Sequence, residues 1–237
     1  MIDARPIFVV GSLHSGANWV FQFLTSHPDV AGVKDSWALY DARRNIDLVR
    51  STGDSLIDRV GSGSHVAIKS PPNVFMIDEI AAAWPEARFI HVLRDGRDVV
   101  VRVRLSRQRP EERTSQLFGL TIHEAAAGWA RATEAGLDAE DHLGERGLTL
   151  RFEDVIKDRR RAGAKLFTHC EIPWDEALIE DILERDEGRL SRPEDVEAWR
   201  TFFSVYRAFR FDRVAGRTLH RAGYERDPKW WWHPIKR

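Results

Sequence analysis

The chain has 237 residues, 43% of them hydrophobic, which suits one sizeable α/β domain. Its 36 basic and 37 acidic residues leave a net charge of −1, so neither nucleic acid nor an anionic membrane is expected as the main partner. The single cysteine, Cys170, excludes an internal disulfide and a paired-cysteine zinc site. The first apolar run, residues 7–10, is too short for a signal peptide or a membrane span, so a cytoplasmic location is expected.

Apolar runs alternate with helical patterns along the chain. The predicted strands are residues 7–10, 66–68, 88–93 and 148–152, and the predicted helices are residues 19–25, a segment starting near residue 98, residues 124–137 and most of the chain after residue 174. This alternation predicts a single α/β domain over residues 1–237, with a central parallel sheet flanked by helices. Ligands of such sheets bind beyond the carboxyl ends of the strands.

Two segments outside this alternation are singled out. Residues 41–64 are polar and contain three glycines, so they are predicted to form a mobile loop or lid that shapes a pocket. Residues 229–237 form an aromatic C-terminal tail with three successive tryptophans. The tail is expected to cover an acceptor pocket, a partner subunit or a flat apolar surface, with a tail packed over the core as the alternative, and a homodimer is one possible assembly.

The first strand runs into GSLHSGANW, in which Gly11 and Gly16 have the spacing of a phosphate-binding loop. Backbone N–H groups from Ser12 to Asn18 would surround an anion, and the helix that follows adds its positive N-terminal end. A plain strand-to-helix turn is the alternative. A nucleoside triphosphatase needs Lys and then Ser or Thr after the second glycine, whereas this chain has Ala17 and Asn18, so a magnesium-dependent kinase is disfavoured.

HVLRDGRDVVV places Arg94 and Arg97 at a second strand-to-helix turn, where a guanidinium can bind a phosphate through two hydrogen bonds. Asp95 and Asp98 are expected to cap the helix or to brace these arginines. A turn with surface salt bridges is the alternative. Two anion-suited turns together predict a nucleotide with phosphate groups at two positions.

These segments, in this order, resemble the sulfotransferases of the cytosolic and bacterial types. FVVGSLHSGANWVFQFLTSHPDV resembles their 5′-phosphosulfate loop, and ARFIHVLRDGRDVVV resembles their 3′-phosphate motif. IKSPPN, EAAAGWARATEAG, LTLRFEDVIKD and AGRTLHRAGYERD resemble further segments of the family. The resemblance covers about residues 6–228, nearly the whole chain.

The resemblance implies a P-loop-like fold that binds 3′-phosphoadenosine 5′-phosphosulfate (PAPS). It implies transfer of the sulfuryl group to a hydroxyl or amine of a small-molecule acceptor, with 3′-phosphoadenosine 5′-phosphate (PAP) as product and no metal. The implied donor-binding residues are Ser12, Leu13, His14, Ser15, Gly16, Ala17, Asn18 and Trp19, the last near the adenine, together with Arg94 at the 3′-phosphate and Arg102. Lys69 is implied as a catalytic cation beside the sulfuryl group, with a solvated strand-end lysine as the alternative.

The candidate base for the acceptor proton is Asp35. It lies eight residues after His27, and the branch of the family that sulfates protein tyrosines has a glutamate at the matching spacing. An ordinary loop acid is the alternative reading. His65 and His91 are other candidates, although His91 lies in an apolar strand and is typical of a packed core residue.

Three residues depart from the family pattern: His14 replaces the loop Lys or Arg, Ala17 replaces a threonine, and Arg102 replaces a serine. The hypothesis is that His14 acts as a protonated substitute, so that activity declines as pH rises past its pKa. Arg102 either supplies a cation to the 3′-phosphate or faces solvent. The competing hypothesis is a protein that keeps the fold but has lost or altered the reaction.

Overall fold

The computed structural model describes residues 5–34, 37–60, 63–106, 112–185 and 196–225. The strands are β1 (Arg5–Gly11), β2 (Val30–Lys34), β3 (His65–Lys69), β4 (Arg88–Leu93) and β5 (Gly147–Arg151). The helices are α1 (Ala17–Thr25), α2 (Ala38–Ala42), α3 (Ile46–Arg59), α4 (Ile77–Ala83), α5 (Gly96–Leu105), α6 (Glu112–Phe118), α7 (Ile122–Leu143), α8 (Phe152–Lys157), α9 (Arg159–His169), α10 (Glu176–Arg185), α11 (Trp199–Phe202) and α12 (Val205–Arg221). Two 3₁₀ turns cover Pro71–Phe75 and Gly144–Arg146.

The strands form one sheet in the order β2-β3-β1-β4-β5, and every pairing among the described residues is parallel. β1 lies at the centre of the sheet. From β1 the chain crosses to β2 at one edge of the sheet, whereas from β4 it crosses to β5 at the other edge. Because the connections diverge between β1 and β4, the carboxyl ends of these two strands border the crevice where such sheets bind ligands. The predicted α/β fold with a central parallel sheet flanked by helices is confirmed.

Both faces of the sheet are covered, which explains the uninterrupted apolar run of β1. Ile7 and Val9 pack into one core with residues of α1, α9 and α10. Phe8 and Val10 point to the opposite face and pack with residues of α3, α4 and α7. Successive side chains of a strand point to opposite faces, so a central strand must be apolar at every position.

A third apolar cluster joins α5, α7, α11 and α12 beside the sheet. It contains Val100, Trp129, Trp199 and Phe211, all at most 1% exposed. The ring centroids of Trp129 and Phe211 lie 5.9 Å apart. This cluster holds α5, and therefore the turn that precedes it, against the long helix α7.

The prediction of a loop at residues 41–64 is wrong over most of that range, because α3 occupies Ile46–Arg59, whereas the predicted mobility or lid role stays a prediction. Asn45 caps this helix by accepting hydrogen bonds from the backbone N–H groups of Asp47 and Leu48. Gly53, which favoured a loop, is buried in the helix, and a side chain there would overlap the ring of Trp84. The glycine therefore serves close packing and not flexibility.

Edge strand β2 was not predicted from the sequence. Its segment VAGVK has only two buried residues, Val30 and Val33, and a glycine in the middle. Such a short, half-polar strand gives no clear two-residue alternation.

Among the described helices, none is long and apolar enough to cross a membrane. The tryptophan-rich tail at residues 229–237 lies outside the described residues.

Candidate functional site

The phosphate loop is defined here as residues 11–18, the turn between β1 and α1. Gly11 pairs with Val92 on β4, and a side chain at Gly11 would come within 2.6 Å of the Val92 carbonyl oxygen. Gly16 has φ of 101°, a left-handed conformation that favours glycine, and a side chain there would overlap the ring of Phe152. His14 also has a positive φ of 59°. The two glycines thus let the loop curl tightly against β4 and α8.

The first turn of α1 is open to an anion. No side chain caps the helix at Gly16, and no acidic residue lies in its first turn. By contrast, α3, α5, α7, α9 and α12, all of ten or more residues, each have a capping side chain, whereas the short helices α2, α4, α8 and α11 have none. The unpaired N–H groups at a helix N-terminus and the helix dipole both favour a bound anion.

Two buried side-chain atoms of the same loop also lack partners. They are the Oγ of Ser15, a residue only 1% exposed, and the Nε2 of His14. A buried polar atom without a hydrogen bond costs about 1 to 3 kcal/mol, so such atoms are uncommon unless they serve a ligand. The loop therefore offers backbone N–H groups, a hydroxyl and an imidazole at one place.

His14 is neutral in the unliganded protein. Its burial is the main cause that lowers its pKa from 6.5 to about 4, and the positive charges of Arg102 and Arg94 lower it further. The hypothesis of a protonated His14 concerns the complex with a bound phosphosulfate, whose negative charge raises the pKa of the imidazole, and it stays a prediction. A neutral imidazole donates one hydrogen bond but brings no charge.

The turn between β4 and α5 is closed by its own side chains. Asp95 accepts a hydrogen bond from the backbone N–H of Arg97 at 2.8 Å, which caps α5. The same carboxylate pairs with the Arg97 guanidinium at 2.6 Å, and that guanidinium lies 3.8 Å from the ring centroid of Trp199. The expected bracing by Asp95 is confirmed, whereas Arg97 is engaged in the scaffold and does not present a free guanidinium to a phosphate.

Asp98 anchors a distant segment of the chain to the same turn. Its carboxylate accepts hydrogen bonds from the backbone N–H groups of Glu197 at 2.8 Å and Trp199 at 2.9 Å. Burial raises the pKa of Asp98 to about 6, although these two hydrogen bonds act in the opposite direction. Asp98 therefore braces the α11 segment and not an arginine.

Arg94 links the two turns. It is 2% exposed, and its Nη1 donates to the carbonyl oxygen of His14 at 3.1 Å. Its guanidinium carbon lies 4.2 Å from the ring centroid of Phe152, and its own carbonyl oxygen accepts from Nε1 of Trp129 at 3.0 Å. The structure thus brings the predicted 3′-phosphate arginine against the phosphate loop, with its guanidinium on the Phe152 ring and its backbone held by Trp129.

The sequence reasoning did not single out the residues that support this junction. Glu153 accepts hydrogen bonds from the backbone N–H of Asp95 at 2.9 Å and from the hydroxyl of Tyr224 at 2.9 Å. Burial raises the pKa of Glu153. The signal for Phe152, Glu153 and Tyr224 was present in the segments RFED and AGY, which carried the family resemblance without an assigned role.

Arg102 and Lys69 lie on elements that reach the same edge of the sheet. Lys69 is the last residue of β3, half-buried, and pairs in register with Val9 of β1. Arg102 is half-buried on α5, and its charge acts on the His14 ring. Arg102 therefore does not simply face solvent.

The other candidate residues in and next to the phosphate loop differ in how far their side chains are buried. Ser12 is 7% exposed and its carbonyl oxygen accepts from the Ser15 backbone N–H at 3.2 Å, while Leu13 packs against the core beneath α2 and α3. Ala17 is half-buried and Asn18 is exposed. Trp19 is 6% exposed, and its ring centroid lies 5.1 Å from that of Phe23, so most of it belongs to the core.

Of the three candidate bases, the structure describes His65 and His91, whereas Asp35 lies outside the described residues. His65 begins β3 and pairs with Arg5, which puts it at the amino edge of the sheet, opposite the phosphate loop, so it is wrong as a candidate base. His91 is buried, a side chain at Gly136 would overlap its ring, and burial lowers its pKa to about 4, so it is the packed core residue that its strand position indicated.

No group of three or more His, Cys, Asp or Glu side chains within the described ranges is placed to hold a metal ion. The chemistry of the site is thus built from backbone N–H groups, one hydroxyl, one imidazole and the cations Lys69, Arg94 and Arg102.

Solved structures of similar fold are sulfotransferases. The sulfotransferase domain from the curacin biosynthetic pathway superposes with a TM-score of 0.67 at 16% identity, covering 94% of this chain and 98% of that one. The sulfotransferase domain of the Synechococcus PCC 7002 olefin synthase gives a TM-score of 0.62 at 14% identity, with 95% and 97% covered. A mouse sulfotransferase in complex with PAP gives 0.61 at 14% identity, with 92% and 84% covered. No curated protein matches the chain.

A family model described as "Sulfotransferase family" matches residues 41–176. This range contains Lys69, the whole β4–α5 turn and Glu153, and it begins after the phosphate loop. Because the match covers more than half of the chain, this protein belongs to the sulfotransferase family.

Proposed function

We propose that this protein transfers a sulfuryl group from PAPS to a hydroxyl or amine of a small-molecule acceptor and releases PAP. The observation that carries the proposal is the open phosphate loop, which lies at the carboxyl edge of the sheet in a member of the sulfotransferase family. The mouse relative and a retinol dehydratase of similar fold (TM-score 0.53, 15% identity) are described in complex with PAP.

The residues of the loop fit the 5′-phosphosulfate. Such a group offers only hydrogen-bond acceptors and negative charge, which match the uncapped N–H groups of α1, Ser15 Oγ and a protonated Nε2 on a neutral His14. Ala17 and Asn18 supply neither the lysine nor the hydroxyl that a magnesium triphosphate requires. The same loop thus favours a donor that needs no metal.

Arg94 is our candidate for the 3′-phosphate. Its guanidinium is held by the His14 carbonyl oxygen and the Phe152 ring before any ligand arrives, so little side-chain entropy is lost on binding. A buried guanidinium also forms strong charge-assisted hydrogen bonds with a phosphate. Trp19 remains a candidate for contact with the adenine through its exposed edge.

The transfer breaks the bond between sulfur and the bridging oxygen of the donor and forms a bond between sulfur and the acceptor atom. The acceptor proton passes to a base, for which Asp35 is our candidate, and the bridging oxygen leaves with PAP. Lys69 would stabilise negative charge on the transferring group, and His14 Nε2 would donate a hydrogen bond to the leaving oxygen.

A calorimetric titration with PAP tests the cofactor before the acceptor is known. We expect saturable one-to-one binding in the presence of EDTA, with no gain on adding magnesium. Failure to detect binding of PAP would refute the proposal. Magnesium-dependent hydrolysis of ATP, measured on the same preparation, would favour a P-loop kinase instead.

A second candidate is a nucleotide-binding protein of the same fold with an altered or absent reaction. The neutral His14 and the missing hydroxyl at Ala17 favour it, because both weaken charge stabilisation in the loop. Incubation with PAPS and pooled phenols, alcohols and amines separates the two. Formation of PAP together with a sulfated product supports the enzyme, whereas PAP binding without turnover supports the alternative.

We propose a cytoplasmic location, which the state of the single cysteine supports. The lone Cys170 is buried, and burial raises the pKa of its thiol to about 12, so it forms neither a disulfide nor a reactive thiolate. The net charge of −1 gives no basis for a nucleic-acid or membrane partner.

A further inference from the structure

A cavity of about 570 Å³ borders the β4–α5 turn. This volume lies within the range of about 300 to 1,000 Å³ that is usual for ligand pockets, so the cavity can hold side chains of a peptide. Its walls come from the β4–α5 turn, the start of α8, the α11 segment and the residues after α12. The cavity therefore lies where the last described stretch of the chain ends, at Glu225.

The lining of this cavity is acidic. Two arginines, Arg97 and Arg200, accompany five acidic residues, which leaves a formal charge of −3. The acidic residues are Asp95, Asp98, Glu153, Glu197 and Glu225. Burial is the main cause that raises the pKa of Asp98 to about 6 and raises that of Glu153, and the charge of Asp95 raises both further. These carboxylates repel one another, and a cation bound in the cavity would relieve that repulsion.

The two arginines of the lining are engaged by groups of the cavity itself. Arg97 pairs with Asp95 at 2.6 Å, and Arg200 pairs with Glu197 at 2.9 Å. Their guanidinium carbons lie 3.8 and 4.6 Å from the ring centroid of Trp199. The cavity thus disfavours a phosphate, and its carboxylates and aromatic rings suit a basic, aromatic peptide.

The chain that continues from Glu225 has the complementary composition. Residues 226–237, RDPKWWWHPIKR, contain two arginines, two lysines and one aspartate, so their side chains carry a formal charge of +3. They also include three successive tryptophans, whose rings pack against other rings and bind cations. Because Glu225 itself lines the cavity, this segment is joined directly to the cavity wall and needs no linker to reach it.

A second stretch outside the described residues also adjoins the cavity, because Val196 is one of the lining residues. This stretch, residues 186–195, is DEGRLSRPED, with four acidic and two basic side chains and no aromatic residue. Its formal charge of −2 has the same sign as that of the lining, so the two repel each other. Charge therefore favours residues 226–237 as the occupant.

We propose that residues 226–237 bind in this cavity of the same chain. Their basic side chains lie beside Glu197 and Glu225, which are exposed and mark the mouth of the cavity, and their tryptophans pack against its aromatic lining. The bound segment covers the paired side chains of the β4–α5 turn and so stabilises that turn. This contact is independent of sulfuryl transfer, so it holds whether or not the chain binds PAPS.

Hydrogen exchange of the whole 237-residue chain, followed by mass spectrometry, tests this contact. The quantity measured is the exchange rate of the backbone N–H groups in residues 226–237, compared with a free peptide of the same sequence. We expect exchange in the chain to be at least about tenfold slower, because bound backbone groups exchange only on local opening. Exchange as fast as in the free peptide would overturn the proposal.

A matched pair of double variants tests the role of the acidic lining. Glu197→Lys combined with Glu225→Lys reverses the charge at the mouth of the cavity. Glu86→Lys combined with Glu184→Lys makes the same charge change at exposed residues outside the lining. We expect the first variant to speed exchange of residues 226–237 by about tenfold or more, and the second to change it by less than about threefold. Equal effects of the two variants would refute the proposal.

Replacement of the three tryptophans tests the aromatic contribution. Trp230→Ser, Trp231→Ser and Trp232→Ser together should speed exchange of residues 196–199, which line the cavity, by about tenfold. Exchange in β1, at the centre of the sheet, should stay unchanged and shows that each variant remains folded. Unchanged exchange of residues 196–199 would contradict the proposed contact.

Two further measurements identify the occupant. Slow exchange of residues 226–237 that persists on about hundredfold dilution assigns the contact to the same chain, because intramolecular binding does not depend on protein concentration. Loss of the slow exchange on dilution would assign the contact to a second copy and would overturn the proposal. Faster exchange of residues 226–237 on adding PAP would assign the cavity to the nucleotide and would overturn it as well.

Discussion

Two neighbouring strand-to-helix turns, β1–α1 and β4–α5, treat their polar groups in opposite ways. The first leaves its helix uncapped and two buried side-chain atoms, Ser15 Oγ and His14 Nε2, without partners. The second caps its helix with Asp95 and pairs the same carboxylate with Arg97. Both turns leave the same edge of one parallel sheet, and both follow strands whose residues are mostly buried.

The β1–α1 turn therefore has polar groups available to a ligand, whereas the β4–α5 turn uses its polar groups to support the structure. Unsatisfied buried groups cost stability, and a ligand that satisfies them recovers that cost. The paired Asp95 and Arg97 side chains of the β4–α5 turn instead rigidify the junction, so that Arg94, which belongs to this turn by sequence, lies against the other turn in a fixed orientation. Pre-organisation of this kind lowers the entropy lost on binding.

Gly16→Ala should break the open turn most severely. The left-handed φ and the overlap with Phe152 are expected to cost about 2 to 4 kcal/mol of unfolding free energy. The resulting shift of the loop should weaken PAP binding by about 100-fold or more. Urea unfolding and calorimetric titration measure the two effects. Gly144→Ala is the control, since Gly144 also has a positive φ but its side chain would meet nothing within 4 Å, so PAP affinity should be unchanged. Normal binding by Gly16→Ala would contradict the assigned loop geometry.

The two arginines of the closed turn should separate stability from binding. Arg97→Gln leaves the buried Asp95 carboxylate without its partner and should cost about 3 kcal/mol in unfolding free energy, with PAP affinity within about threefold of normal. Arg94→Gln should instead weaken PAP binding by about 10- to 100-fold. Urea unfolding and titration of both variants provide the comparison. Lost PAP affinity in Arg97→Gln together with lost stability in Arg94→Gln would contradict the roles assigned to these two arginines.

The pH dependence of stability should have opposite signs at the two turns, and His14 gives the first sign. Its folded pKa of about 4 lies below the unfolded value of 6.5, so the unfolded state binds the extra proton as pH falls. Relative to His14→Gln, the unmodified protein should lose about 1 kcal/mol of unfolding free energy per pH unit between pH 6.5 and 4. Urea unfolding at several pH values measures it. A difference between the two proteins that does not change with pH would mean that His14 is solvated.

Asp98 gives the opposite sign and a smaller window. Its folded pKa of about 6 lies above the unfolded value of 3.8, so the folded state binds the extra proton. Relative to Asp98→Asn, the unmodified protein should gain at most about 1 kcal/mol per pH unit as pH falls from 6 to 4. The same unfolding series, run on Asp98→Asn, checks it. A gain on raising the pH would contradict the burial of this carboxylate.

Much of the fold could be predicted because the central strands are buried on both faces and therefore uninterrupted in sequence. β1 is apolar from residue 6 to residue 10 and β4 is mostly apolar, both end at charged or glycine-rich turns, and the predicted boundaries matched within a few residues. β2 and α3 could not be predicted from pattern alone. β2 is a short edge strand with one glycine, and the role of Gly53 depends on the ring of Trp84, 31 residues further along the chain.

The site was only partly predictable for a similar reason. Glycine spacing indicated the β1–α1 turn as a candidate phosphate loop, and the charged strand end indicated Arg94 as a candidate ligand, because both signals are local in sequence. The neutrality of His14 depends on burial and on Arg102, 88 residues away, and the fate of Arg97 depends on Trp199. Local sequence therefore indicates which residues reach the site, while their protonation and pairing depend on tertiary contacts.

The central position of β1 has a consequence for synthesis of the chain. Both of its partners, β3 and β4, lie later in the sequence, and β4 ends 82 residues after β1. At about 5 to 20 residues per second, the ribosome needs roughly 4 to 16 s to make that stretch. During this interval the segment IFVV, with at least one strand edge unpaired, is a template for aggregation, so nascent chains stalled before residue 93 should require a chaperone.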